Sequence, residues 1–307
     1  MLAVLSSFVV VGIIILLGYL LQRGNVLGDR AHIVLTRLVF YVASPTLLFE
    51  TVSKAEPHDV FGYPLAVQVL SVLMVVAVYV LVSRLLWKQN LPDTVVGSMS
   101  SSYVNVGNLG IPLAAYVLGD TTQIAPILLF QLAVYTPVVM FLFEVGSGKG
   151  DGFLASVRTL LKNPVLIASL LGVVFMAADW SVPHIIDEPL TLLAGMSVPC
   201  MLITFGMSFA GMGRTSEQGR LPRIAVVVAL KNVIQPILAY ALAALVFDLD
   251  QTTVFACVVM AALPSAQNVY NYAVRFGAGS LQARDAGFIT TVVSVPVLIL
   301  VAALLSH

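Results

Sequence analysis

"NVGNLGIPLAAY", residues 105–116, places two Asn, two Gly and one Pro within eight positions of an otherwise apolar segment. Such a run is a poor helix interior, since Gly is entropically costly and Pro removes an N–H and clashes with the preceding turn. In water it would read as a loop. Its surroundings are oily, however. Of 307 residues 59% are hydrophobic and 10% charged, against roughly 25% charged in soluble domains. The formal net charge is zero, so no basic surface for nucleic acid is expected. Cys200 and Cys257 sit apart in apolar runs, which implies neither a disulfide framework nor a metal site. The stretch is a break inside a membrane segment.

A transmembrane helix needs about 20 mostly apolar residues. Charges, Gly and Pro divide the chain into ten such spans: 1–22, 33–53, 62–86, 93–118, 122–145, 164–180, 189–210, 222–247, 252–275 and 283–305. The N-terminal "MLAVLSSFVVVGIIILLGYLLQ" lacks a basic n-region and a small-residue cleavage site, and reads as a retained span. No soluble domain is expected at either end. Residues 146–163, "GSGKGDGFLASVRTLLKN", form the linker, and their second half suits an amphipathic surface helix. Fourteen of 15 Lys and Arg lie in or beside the loops after spans 1, 3, 5, 7 and 9, with Lys54 the exception. The positive-inside rule then makes the linker cytoplasmic and puts both termini outside the cytoplasm.

The halves echo each other. Gly18 and Gly172 are 154 residues apart, as are Pro45 and Pro199, while Pro137 and Pro296 are 159 apart. Five spans per copy is an odd number, so the second copy would be inverted, a common transporter plan. The organisation expected is 1–145 as the first five-helix repeat, 146–163 as the linker and 164–307 as the second repeat. Helix breaks at membrane depth occur only where protein or water lines a cavity. Asn105, Gly107, Asn108, Gly110 and Pro112 therefore mark a discontinuous span 4, with Pro112 suited to the first turn of a new half-helix. Span 9 has the counterpart "ALPSAQNVYNYAVRF", with Pro264, Ser265, Gln267, Asn268 and Asn271. Two broken helices at matching places point to a midplane binding site. The N-terminal ends of half-helices favour an anion, and neutral amides add donors without a charge to desolvate. The same amides could instead cap helix ends or glue helices together. Lys231 lies about nine residues into span 8, roughly 13 Å deep at helical rise. It is either a coupling group or a lysine snorkelling to the cytoplasmic interface. Gln68 and Gln131 are expected to bond to neighbouring helices, and Pro45 and Pro199 to kink theirs.

"VFYVASPTLLFETVS" (39–53), "NVGNLGIPL" (105–113), "LLKNPVLIASLLG" (160–172), "MSVPCMLITFGMSF" (196–209) and "ALPSAQNVYNYAVRFG" (262–277) resemble, in order, the signatures of the auxin efflux carrier family. That family includes plant auxin exporters and bacterial relatives linked to malonate or malate. The resemblance implies crossover prolines at Pro112 and Pro264, with Asn105 at the family's amide just before the first. The long hydrophilic loop of many plant members is absent, and Gln267 and Asn268 are more polar than the plant pattern. By resemblance, spans 1, 2, 6 and 7 form a scaffold, which can also be a homodimer surface. Spans 3–5 and 8–10 form a transport core moving in an elevator-like cycle, with substrate beside the crossing.

The expectation is an all-α polytopic membrane protein of ten helices in two inverted repeats, with helices 4 and 9 broken and crossing. It would sit in a plasma membrane and carry a small organic anion. The candidate site is Asn105, Asn108, Gly110, Pro112, Pro264, Ser265, Gln267 and Asn268, with Lys231 for coupling, no bound cofactor, and Na⁺ or H⁺ as the open choice of coupling ion. The alternative is a sodium-coupled symporter of the bile acid type, which shares this architecture. An intramembrane enzyme would need paired aspartates, HExxH or a Ser–His pair inside the spans, and none occurs.

Overall fold

The computed structural model describes residues 2–119, 121–122, 124–147, 161–210 and 221–305. Among these, regular structure is helical apart from one isolated bridge between Val104 and Ser265. Apart from one short turn of helix at Pro57–Phe61, the helices in chain order are α1 (Leu2–Arg23), α2 (Ala31–Ser53), α3 (Tyr63–Leu86), α4 (Leu91–Ser102), α5 (Val106–Leu118) and α6 (Ile124–Gly146). They continue as α7 (Pro164–Ala177), α8 (His184–Ala210), α9 (Leu221–Val246), α10 (Gln251–Ala261), α11 (Asn268–Phe276) and α12 (Ser280–Leu305). Six of these, α2, α3, α6, α8, α9 and α12, are long and apolar enough to cross a membrane. The centre of the expected linker, 148–160, with its amphipathic segment, lies outside the described residues, as do Arg214 and Arg220.

The helices pack in two groups. The first joins α1 to α8 and α2 to α7, and the second gathers α3, α4, α6, α9, α10, α11 and α12. Helix α5 lies against α8, where the groups meet. Small residues set the closest approaches in the first group. A Cβ on Gly18 would overlap the backbone of Ile203, and one on Gly206 would overlap the Ile15 carbonyl. At Gly172 it would come within 2.8 Å of Val52 Cβ and 3.2 Å of the Phe49 carbonyl oxygen. Membrane helices gain little from hiding apolar surface from lipid, so close backbone contact of this kind is a main source of their adhesion. Ser197 Oγ donates to the Ala43 carbonyl at 2.6 Å, tying α8 to α2.

Burial separates the short helices from the long ones. In α4 every residue from Thr94 to Ser102 is buried, and in α10 every residue from Val254 to Ala261. Helix α1, by contrast, leaves Ile13, Leu16 and Leu20 more than half exposed. A helix enclosed on all sides belongs to the centre of the bundle. Within α4 the hydroxyls of Ser100, Ser101 and Ser102 donate to the carbonyls four residues back, while Ser98 Oγ has no partner among the described residues.

Prolines shape the longer helices in a regular way. Pro45, Pro112, Pro137 and Pro236 each stand two residues after a π turn, at 39–43, 106–110, 131–135 and 230–234. A proline cannot donate to the carbonyl four residues back and its ring crowds that carbonyl. Widening the preceding turn to i→i+5 bonding makes room. Lys54, the one cation on the acidic side of the charge pattern, pairs with Glu50 at 2.8 Å and Asp187 at 3.1 Å. The Glu50 hydrogen bond raises its pKa, and by bridging two carboxylates it clips α2 to α8.

Gly18→Ala should lower the unfolding temperature of purified protein, at the 1–3 kcal/mol scale of about one unwanted methyl group in a packed contact. Gly12→Ala on the same helix meets nothing within 4 Å, and should be neutral or stabilising because Ala is the better helix former. Thermal unfolding in one detergent checks the opposite signs.

Candidate functional site

Two helices stop against each other at the centre of the molecule. After α4 ends at Ser102 the backbone is extended, with Tyr103 at φ −81°, ψ 102°. After α10 ends at Ala261 the chain runs through Pro264 to Ala266 before α11 begins at Asn268. The two interruptions pair. Asn105 N–H donates to the Pro264 carbonyl at 2.9 Å, and Ala266 N–H donates to the Tyr103 carbonyl at 2.9 Å. Gln131 Nε2 donates to the Val104 carbonyl at 3.1 Å, and Ser265 N–H donates to Thr290 Oγ1 at 3.2 Å. Ser265 Oγ donates to the Ser100 carbonyl. Buried backbone groups need partners, and here each interruption supplies them to the other. Pro264 fits because that position offers only its carbonyl.

The interruption lies slightly upstream of the expected place. The backbone is helical again from Val106, so Gly107, Asn108, Gly110 and Pro112 occupy the first turns of α5. Pro112 follows the π turn and does not begin the new helix. The Asn105 carbonyl accepts from Leu109 N–H at 3.2 Å and Gly110 N–H at 3.0 Å, closing that wide turn. Gly110 packs closely on the other interruption, since a Cβ there would lie 2.9 Å from Leu263 Cδ1 and push that side chain aside.

The amides divide into two kinds. Asn105 is buried, and its Nδ2 has no hydrogen-bond partner among the described residues. Asn108 Nδ2 donates to Gln267 Oε1 at a long 3.4 Å, and Gln267 Nε2 donates to Ser208 Oγ at 2.9 Å. Asn108 and Gln267 are half-buried, while Asn268 and Asn271 are exposed. Neither Asn105 nor Gln267, each standing at the entrance to a new helix, caps that helix with its side chain. The capping role open to these amides is therefore not the one they play. Asn108, Gln267 and Ser208 form a polar seam where α5 and α11 face α8, the border between the two packing groups.

Lys231 does not snorkel. It is fully buried, and its Nζ donates to Gln235 Oε1 and to the Ala261 carbonyl, both at 2.8 Å. Gln235 Nε2 in turn reaches the Ser102 carbonyl at 3.4 Å. Asn232 Nδ2 donates to the Thr290 carbonyl at 3.1 Å, which fixes α9 to α12. Gln131 makes the interhelical bond expected of it, whereas Gln68 Nε2 has no partner among the described residues. Gln235, Thr290 and Ser208 were not legible as site residues. Only Gln235 carries a signal, because its i+4 spacing from Lys231 puts both on one helix face.

A sequence family described as membrane transport protein matches residues 3–151 and 153–302. A Rhizobium meliloti (strain 1021) protein named "Putative malonate transporter" is 25% identical over 290 residues, covering 92% of this chain and 89% of its own. Escherichia coli (strain K12) "Uncharacterized transporter YfdV" is 23% identical over 295 residues, covering 91% and 92%. A protein of Methanothermobacter thermautotrophicus named "Uncharacterized transporter" is 27% identical over 203 residues, covering 64% and 65%.

Thr290→Val keeps the shape of the side chain but leaves the buried Ser265 N–H without its acceptor, which costs about 1–3 kcal/mol. A fall in unfolding temperature is expected, larger than for Thr191→Val, whose hydroxyl is exposed at the surface.

Proposed function

Because this chain belongs to the membrane transport protein family, we propose that it carries a small organic anion, a mono- or dicarboxylate, bound where two broken helices cross. One observation carries the reading: the extended residues at 103–105 and 264–266 pair with each other, and a new helix starts beside each. The first turn of a helix presents N–H groups without intrahelical acceptors and the positive end of its dipole, a ready place for a carboxylate. Asn105 Nδ2, Asn108, Gln267 and Asn268 add amide donors, with Gly110, Pro112, Pro264 and Ser265 shaping the backbone around them. The dicarboxylate choice draws on the name of the Rhizobium relative.

On this reading α4 with α5 is span 4, and α10 with α11 is span 9, of ten. The inverted repeat is supported by contacts that recur at one offset. Gly18 meets Ile203 and Gly172 meets Phe49, with 172 − 18 = 203 − 49 = 154. Ser197 meets Ala43, also 154 apart. The repeats are 1–145 and 164–307, joined by the cytoplasmic linker 146–163. Helices α1, α2, α7 and α8 are the scaffold and the surface where two copies would pair, and the other group is the moving core. The Asn108–Gln267–Ser208 seam lies where core slides past scaffold, so substrate bound there would change sides as in an elevator. On this reading the protein sits in a plasma membrane with both termini outside the cytoplasm, an orientation that the distribution of Lys and Arg supports. The coupling ion, if one is used, is Na⁺ or H⁺.

The test is uptake of labelled malonate, malate, acetate and indole-3-acetate into proteoliposomes. Saturable uptake of at least one is expected. Asn105→Ala and Asn268→Ala should each reduce kcat/KM about tenfold, a loss of about 1.4 kcal/mol of transition-state stabilisation, with unfolding temperature little changed. Wild-type uptake in both variants would remove the anion site from the crossing. In a background of Cys200→Ser and Cys257→Ser, Glu56→Cys should react with an impermeant maleimide in intact cells and Arg30→Cys only after lysis. The reverse pattern would overturn the orientation.

A further inference from the structure

The paired backbone at the crossing accounts for the N–H groups of Asn105 and Ala266, but helix ends also leave carbonyls. Helices α4 and α10 both end at the crossing, in buried surroundings, with their negative dipole ends side by side. Two C-terminal ends meeting away from water form a place that attracts a cation. The Lys231 side chain occupies it. Its Nζ bonds the carbonyl of Ala261, the last residue of α10. Through Gln235 it also reaches the carbonyl of Ser102, the last residue of α4. The lysine comes from α9, is fully buried, and has only neutral acceptors at Nζ. The amide of Gln235 relays the contact, with its oxygen towards the ammonium and its nitrogen towards the second carbonyl.

We propose that the Lys231 ammonium is the resident cation of the crossing. It holds the carbonyl ends of the two half-helices in place of a bound monovalent metal ion, so that this carrier works without Na⁺ there. The inference deepens the carrier reading, and it separates this chain from a sodium-coupled symporter on structural grounds. Lys231 is thus a positioning residue. It fixes where the two new helices begin, and hence where the amides of Asn105 and Gln267 stand, without touching the anion itself.

Truncating the side chain to Lys231→Ala leaves the carbonyl ends facing a cavity of monovalent-cation character. The test follows thermal unfolding of purified protein in N-methyl-D-glucamine chloride, and then with Na⁺, K⁺ or methylammonium added. Lys231→Ala should unfold at lower temperature than wild type and regain about 3 °C or more, saturably, with Na⁺ or methylammonium. Wild type should not respond. If Lys231→Ala cannot be purified folded, Lys231→Ser takes its place with the same expectation. In proteoliposomes, wild-type uptake should be unchanged by replacing Na⁺, while the variant loses at least about tenfold and recovers part of it with the same cation. Stabilisation of wild type by Na⁺, or an alanine variant that responds to no small cation, would overturn the proposal. So would Lys231→Met with wild-type unfolding temperature and uptake, since it fills the space without charge. The unfolding arm needs no substrate. Absence of uptake of any anion would therefore count against the carrier reading alone.

Discussion

The backbone has to be hydrogen-bonded wherever water is absent, and at the centre of this bundle that requirement is met by two interruptions that complete each other. An isolated gap in one buried helix would leave several N–H and C=O groups without partners, each at a cost of about 1–3 kcal/mol. Two gaps set antiparallel remove most of that cost. Tyr103, Asn105, Pro264 and Ala266 exchange main-chain bonds, while Gln131 and Thr290 take up groups that face outward. The remaining carbonyl ends fall to Lys231 and Gln235. Helices α6, α9 and α12 supply side chains to this contact, and Gln267 beside it bonds to Ser208 of α8.

The two packing groups have different chemistries of adhesion, and that difference suits a carrier. Helices α1, α2, α7 and α8 meet through glycines and backbone contact, with few polar side chains between them. The second group is held by buried polar side chains, including Gln89 with Ser83 and Tyr79, and Gln282 with Tyr79. Between them lies the loosest seam: the Asn108–Gln267 bond is long at 3.4 Å.

Much of this was legible in the sequence, for a physical reason. Gly and Pro have no good place in a membrane helix unless the fold uses them, so the clusters at 105–112 and 262–271 pointed to the crossing directly. The 154-residue offset between Gly18 and Gly172 was read only as an echo between the halves; that both glycines sit at close helix contacts comes from the structure. What escaped were the exact residues of the first gap, because the helix resumes before Pro112 with a π turn that carries no composition signal. Partners from distant helices escaped as well. Nothing local to Thr290 or Ser208 distinguishes a hydroxyl that serves another helix from one bonded to its own turn. Lys231 was seen as unusual by depth alone, and only its two carbonyl-directed bonds distinguish a buried post from a snorkelling chain.

The pairing of Tyr103–Asn105 with Pro264–Ala266 also imposes an order on biosynthesis. Asn105 and its partner Pro264 are 159 positions apart in the chain. At translation rates of about 5–20 residues per second, the first gap waits roughly 8–30 s for the second to leave the ribosome. During that interval the segment 103–105 lacks the partner with which it pairs in the finished fold. Gln131, on a helix already made, bonds to Val104 from within the same half. That bond joins residues only 27 positions apart, so both of its ends are made long before Pro264.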